Sequence, residues 1–242
     1  MLGIKRTASQ GMRKTIWRIG LSCCLAVLLG GCSPSATPLD KLKAQLSSAP
    51  EYSIILDDMR EEGTFISSYF HQYKVAQGKK SWTTDWLQVP KAVYRANENF
   101  LGMTLASKTP DGENNVPHPA GYGYVGNSRY GQWQTNNSGT SFWAFYGQYA
   151  FMSSMFGLGR GSIFRSDYNS YERSRSRGRP YYGSTGKEYG TRGTVTQQRK
   201  PSFFERRRSR DVAKRQRFGQ KFNNRLGRSS VPVRSRGFGF GK

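Results

Sequence analysis

The segment TFISSYFHQYKVAQGKKSWTTDWLQV, residues 64–89, carries the fold reading. From Thr64 to Ala76 aromatic and β-branched residues dominate. Phe65, Tyr69, Tyr73 and Val75 fall on one side of a period-two pattern, which predicts a strand. Gln77-Gly78-Lys79-Lys80 has turn chemistry, and a second strand is expected over Ser81–Val89, stopped by Pro90.

Outward from this hairpin the period changes. Leu39, Leu42 and Leu46 recur at helical spacing and predict a short helix over Leu39–Leu46, ended by Pro50. Val93, Ala96, Phe100 and Leu101 predict a helix within Lys91–Ser107, weakened by Asn97, Asn99 and Gly102. Pro110–Gly139, punctuated by Gly, Pro and Asn, reads as turns and short irregular strands. Ser141–Gly159 is uncharged over nineteen residues, but its Tyr, Gln, Ser and Gly content favours a buried helix over a membrane span. An interfacial or partner-binding surface is the alternative there. Strands and helices in this order predict a small α+β domain over residues 39–158.

Charge divides the chain sharply. The net charge of +23 is an average over a neutral middle, with ten residues of each sign between Cys32 and Leu158, and a tail from Gly159 to Lys242 holding 23 basic and five acidic residues. That tail reads as mostly disordered, since its Arg, Ser, Gly and Tyr offer little apolar surface to offset chain entropy. One island is helical in expectation: Ser202 and Glu205 form a capping-box pattern, giving a helix over 202–218. Phe218, Phe222 and Leu226 continue at a spacing of four, which makes a basic helix with a thin apolar edge suited to an anionic membrane surface.

The amino terminus supplies an address. Lys5, Arg6, Arg13, Lys14 and Arg18 precede the uncharged run Ile19–Gly31, a basic n-region and a short apolar h-region over residues 1–31; Met12 would be a more ordinary start. Thirteen uncharged residues fall short of the roughly twenty needed to span a bilayer. The run ends in Leu29-Gly30-Gly31-Cys32, which resembles the lipobox of bacterial lipoproteins. That resemblance implies cleavage before Cys32, diacylglycerol on its sulfur, acylation of the new amino terminus and attachment to the cell envelope. Ser33 after the cysteine implies the outer membrane in organisms that have one. Several acyl chains anchor where one cannot, at about 0.8 kcal/mol per buried methylene. Residues 32–38, containing SPSATP, read as a tether. With Cys23 and Cys24 inside the signal, Cys32 remains alone and no internal disulfide is expected.

These readings predict a non-enzymatic envelope protein whose tail binds anionic lipids, lipopolysaccharide or wall polyanions. The candidate cations are Arg173, Arg175, Arg177, Arg179, Arg206, Arg207, Arg208, Arg210, Lys214, Arg215 and Arg217. A nucleic-acid-binding tail is the alternative, on Arg interleaved with Tyr, Phe and Gly at Arg177-Gly178, Tyr181-Tyr182 and Arg236–Phe240. No phosphate loop, nucleophile elbow or dinucleotide fingerprint occurs in fitting context, and no cofactor is expected. His71 and His118 read as an ordinary strand and loop histidine, without the spacing of a zinc site. Asp57-Asp58 and Glu61-Glu62 read as a solvated acidic turn, or as a transient partner of the tail. Aromatics from Tyr122 to Trp133 read as core, with a sugar platform as the alternative.

Overall fold

A computed structural model describes residues 36–63, 66–150 and 162–226. The signal, the lipobox and Cys32 lie outside the described residues, as do Phe65 and Arg236–Phe240.

Helix α1, Pro38–Gln45, opens with a capping box in which Thr37 and Asp40 exchange hydrogen bonds, and Pro38 stands in the first turn where its missing N–H costs nothing. Its Leu42 and the following Leu46 are buried, as their spacing predicts. Strand β1, Tyr52–Glu62, then pairs antiparallel with β2, Ser68–Gln77. The expected turn at Gly78-Lys79 leads into β3, Lys80–Thr83, while β4, Leu87–Val89, pairs with the other end of β2. The single strand predicted over 81–89 is therefore two short ones, parted by Thr84, which bonds the backbone of Tyr73.

Helix α2, Lys91–Asn97, is the predicted one, but it ends ten residues early. Gly102 takes φ +74°, a conformation that continues no helix, and its N–H meets the Leu56 carbonyl at 2.7 Å. The chain leaves this turn as strand β5, Met103–Thr109, antiparallel to β1. Strands β6, Gly112–Asn114, and β7, His118–Pro119, both pair with β5, giving the main sheet the order β3-β2-β1-β5-β6. Strands β8, Gly131–Thr135, and β9, Ser141–Phe145, form a separate hairpin. The helix expected from Ser141 onward is thus a strand as far as Phe145, because SFWAF alternates and buries Trp143 against the hairpin and the core. The α+β class holds; an acidic turn at 57–62 does not, since those residues belong to β1.

Both faces of the main sheet are covered. Tyr52, Ile54 and Leu56 face a cluster containing Leu42, Tyr73, Val75, Leu101 and Phe203, while Ile55 on the opposite face meets a tyrosine-rich cluster with Tyr122, Tyr124, Tyr130, Tyr171 and Tyr181. A bulge between Leu56 and Asp58 inserts one residue, so the alternation resumes with Met59 on the same face as Leu56. Glu61 shares that face, opposite Tyr69.

The tail is not mostly disordered over residues 162–226. Helices α3, Arg165–Ser176, α4, Thr194–Arg199, and α5, Pro201–Leu226, occur there. Tyr171, Tyr181, Thr196 and Phe203 are buried, and the Tyr181 N–H bonds the Pro117 carbonyl. Composition concealed this because the tail contributes isolated aromatic residues to two cores built elsewhere, without a core of its own. Helix α5 starts at Pro201 and runs past residue 218; Ser202 lies inside its first turn, so the capping-box assignment fails while the helix stands.

Candidate functional site

The site with the most charge is the seam between α5 and β1. Phe203, 5 % exposed, inserts into the cluster beneath the sheet with Phe204 beside it at 5.0 Å between rings. This plug fixes the first turn of α5. Lys200, just before the helix, and residues beyond the plug on the helix face toward the sheet meet a row of carboxylates on β1. Lys200 Nζ lies 2.6 Å from Asp57, Arg206 Nη2 2.5 Å from Asp58, and Arg210 Nη1 3.3 Å and Lys214 Nζ 3.1 Å from the two Glu61 oxygens.

The bulge makes this possible. An uninterrupted alternation would put Glu61 on the face of Ile55, away from α5; one inserted residue returns it to the face of Met59. Burial opposes ionisation of Glu61, but hydrogen bonds from Lys214 and Ser67 and the Arg210 charge outweigh it and lower its pKa. Three of the four acidic residues therefore hold the tail in fixed contacts, Asp57, Asp58 and Glu61, whereas Glu62 pairs with Arg60 at 3.1 Å.

The eleven candidate cations do not form one surface. Arg206, Arg210 and Lys214 face β1 as described. Arg207, Arg208, Arg215 and Arg217 are exposed on α5. Helical geometry sets Arg208 and Arg215 on the side away from Arg210. Arg173, Arg175 and Arg177 belong to α3 and its cap, with Arg179 just beyond; Arg175 pairs with Glu172 at 3.0 Å and Arg173 bonds Ser170. Beyond residue 214 the helix carries Phe218, 72 % exposed, and Phe222, 53 % exposed, the thin apolar edge expected from their spacing.

Other candidates resolve into structure. His118 is fully buried and its Nδ1–H donates to the Val116 carbonyl at 2.8 Å; burial lowers its pKa to about 4. His71, also buried, contacts the Tyr73 hydroxyl at 3.0 Å through Nδ1, and burial lowers its pKa to about 4 as well. Both are neutral core residues, and His118 is in a strand instead of a loop. Tyr122, Tyr124 and Tyr130 are buried in ring-to-ring contact, as core aromatics are. Among the described residues no three His, Cys, Asp or Glu side chains converge as for a metal, and no helix is long and apolar enough to cross a membrane. Two cations that the tail-centred reading passed over, Arg95 on α2 and Arg192 before α4, stand beside the α5 seam; each is isolated in sequence and gave no signal there. No protein-family model matches the chain, and neither a curated protein nor a solved structure shows significant similarity to it.

Proposed function

We propose that this chain is a lipid-anchored protein of the cell envelope, non-enzymatic, that binds anionic surfaces through helix α5. The observation supporting this most directly is the asymmetry of α5. Its sheet-facing cations are matched by β1 carboxylates, while Arg208, Arg215, Phe218 and Phe222 are exposed together on a helix of 26 residues, about 39 Å long. Cations flanking an exposed aromatic edge are what an interfacial helix presents to anionic headgroups. The nucleic-acid alternative draws less support than its composition promised, because Tyr181 is buried and Tyr182 packs on Phe100 at 6.2 Å, leaving neither ring free to stack on a base.

Two measurements test the proposal. Intact mass of the protein from native membranes is expected to show an amino terminus at Cys32 carrying acyl chains, lost in Cys32→Ser; an uncleaved, unacylated chain refutes the anchor. Co-sedimentation with phosphatidylglycerol vesicles is expected to exceed that with phosphatidylcholine vesicles, and to fall in Arg208→Gln/Arg215→Gln and in Phe218→Ser/Phe222→Ser. Equal sedimentation of parent and variants refutes the role of α5.

A further inference from the structure

A cleft of about 230 Å³ opens where α5, the end of α2 and the turn before α4 meet. Its wall carries Arg95, Arg192, Arg207, Arg210 and Lys214, against two carboxylates, Glu61 and Glu98. Glu61 is already matched by Arg210 and Lys214. Arg95, Arg192 and Arg207 make no ion pair among the described residues. Arg210 is further under-satisfied: its Nε is buried without a hydrogen-bond partner.

Three unpaired guanidinium groups from three separate segments repel one another, so something other than their own charges must hold them together. The backbone does so. The Thr191 N–H donates to the Asn99 carbonyl at 3.0 Å, and its hydroxyl donates to the Glu98 carbonyl at 2.5 Å while accepting from the Leu101 N–H. These bonds fasten the Arg192 turn to the end of α2, three residues past Arg95. Arg207 is placed independently, one helical turn beyond the Phe203 plug. The floor is aromatic, with Tyr69 and Tyr94 in ring contact at 4.9 Å.

We infer that this cleft binds a phosphate monoester, the terminal phosphate of a small molecule or of a lipid headgroup. Guanidinium forks match phosphate oxygens in geometry, and a monoester close to its dianionic form at neutral pH answers the surplus of cations better than a singly charged diester does. The concave shape suits a terminal group; the phosphates within a nucleic-acid strand are diesters. The site is distinct from the exposed edge of α5, so neither reading depends on the other.

The test titrates the full-length chain in detergent with inorganic phosphate, by calorimetry near neutral pH. The cleft variant is Arg95→Gln/Arg192→Gln/Arg207→Gln. The control, Lys79→Gln/Lys80→Gln/Lys91→Gln, removes the same charge at exposed positions outside both the cleft and α5. Saturable one-to-one binding, weakened about tenfold or more in the cleft variant and kept in the control, is the expected result. No saturable binding, or equal loss in both variants, overturns it. If circular dichroism shows the triple variant unfolded, Arg192→Gln alone, on its exposed turn, carries the same comparison against Lys80→Gln. Vesicles carrying phosphatidic acid, a monoester, and vesicles carrying phosphatidylglycerol, a diester, at equal surface charge then separate the sources. Binding to phosphatidic acid in excess of phosphatidylglycerol, lost in the cleft variant, assigns the lipid headgroup, and the absence of that excess, beside phosphate binding, assigns a small soluble ester.

Discussion

Replacing Phe203 by Ala is expected to release α5 from the sheet while leaving the sheet folded. Phe203 is the only residue of this helix buried below one-tenth exposure among the described side chains, and it sits in a cluster with Leu42, Leu101 and Leu105. Removing a buried phenyl ring costs about 3–5 kcal/mol. The remaining hold is weaker: Phe204 is half-buried, and the ion pairs involve cations such as Lys214, 56 % exposed, and Arg206, 45 % exposed, in the range of about 0–1 kcal/mol each. A loss of about 3 kcal/mol raises the detached population roughly a hundredfold. A detached basic helix of this composition is marginal in water, so its amides exchange. Hydrogen exchange followed by mass spectrometry is expected to show amides 205–217 exchanging about a hundredfold faster, with β1 and β2 near parent protection. Unchanged α5 protection would refute Phe203 as its seat; loss of protection in β1 and α5 together would show that the helix belongs to one cooperative unit with the sheet.

Salt is expected to act on the same seam: in 1 M sodium chloride, where screening falls to about 3 Å, Phe203→Ala loses further α5 protection while the parent, held by its plug, changes little. Acid is expected to destabilise the domain before its paired carboxylates titrate. His71 and His118 have folded pKa values near 4, below the ordinary 6.5, so their contribution is complete above about pH 6.5 and is lost as pH falls from there toward 4. At pH 5 the loss is about 2 kcal/mol for each, measurable as a lower urea midpoint, and His71→Gln should remove about half of the slope; a flat profile between pH 7 and 5 would contradict it. Asp40 and Glu61, with lowered pKa values, lose stability only at still lower pH, and Asp167, raised by burial, opposes the trend slightly. Gly131→Ala should cost about 3 kcal/mol in thermal unfolding, because the new methyl would lie 2.3 Å from the Ala144 carbonyl oxygen across the β8–β9 hairpin, where backbone cannot give way; a midpoint equal to the parent's would mean the hairpin contributes nothing to the cooperative unit.

Local pattern was legible where one periodicity acted alone. Leu39, Leu42 and Leu46 name α1, Gly78-Lys79 names the turn, and Tyr69 to Val75 names β2 correctly. Strand β1 was not legible, because its first half is buried on both faces and its second half is charged, so neither half alternates cleanly in hydrophobicity. The bulge that joins the halves has no marker such as glycine. Strands β5 and β9 were absorbed into helices for a related reason: β5 follows directly on the helical spacing of Val93, Ala96, Phe100 and Leu101, β9 opens an uncharged run, and each is too short to declare an alternation of its own. Disorder was assigned to the tail from average composition, whereas burial there is decided by single residues, Tyr171, Tyr181 and Phe203, received by surfaces far away in sequence. The cations of α5 were legible as charge; which of them are neutralised was not, since that depends on β1 partners about 145 residues earlier.

That dependence bears on how a basic segment of this kind works. A tail carrying most of the protein's charge would, if unstructured, present every Arg and Lys to any polyanion with equal chance. Seating α5 on β1 divides those charges by face. Lys200, Arg206, Arg210 and Lys214 have local counter-ions, so a surface competing for them must first displace carboxylates held within hydrogen-bond distance. Among the described residues Arg208 and Arg215 have no ion-pair partner to compete with. The helix therefore has a direction: an anionic plane can approach its outer flank without disturbing the fold, and an approach from the inner side is opposed by Asp57, Asp58 and Glu61. A single inserted residue in β1, by keeping Glu61 under α5, sets which cations remain available.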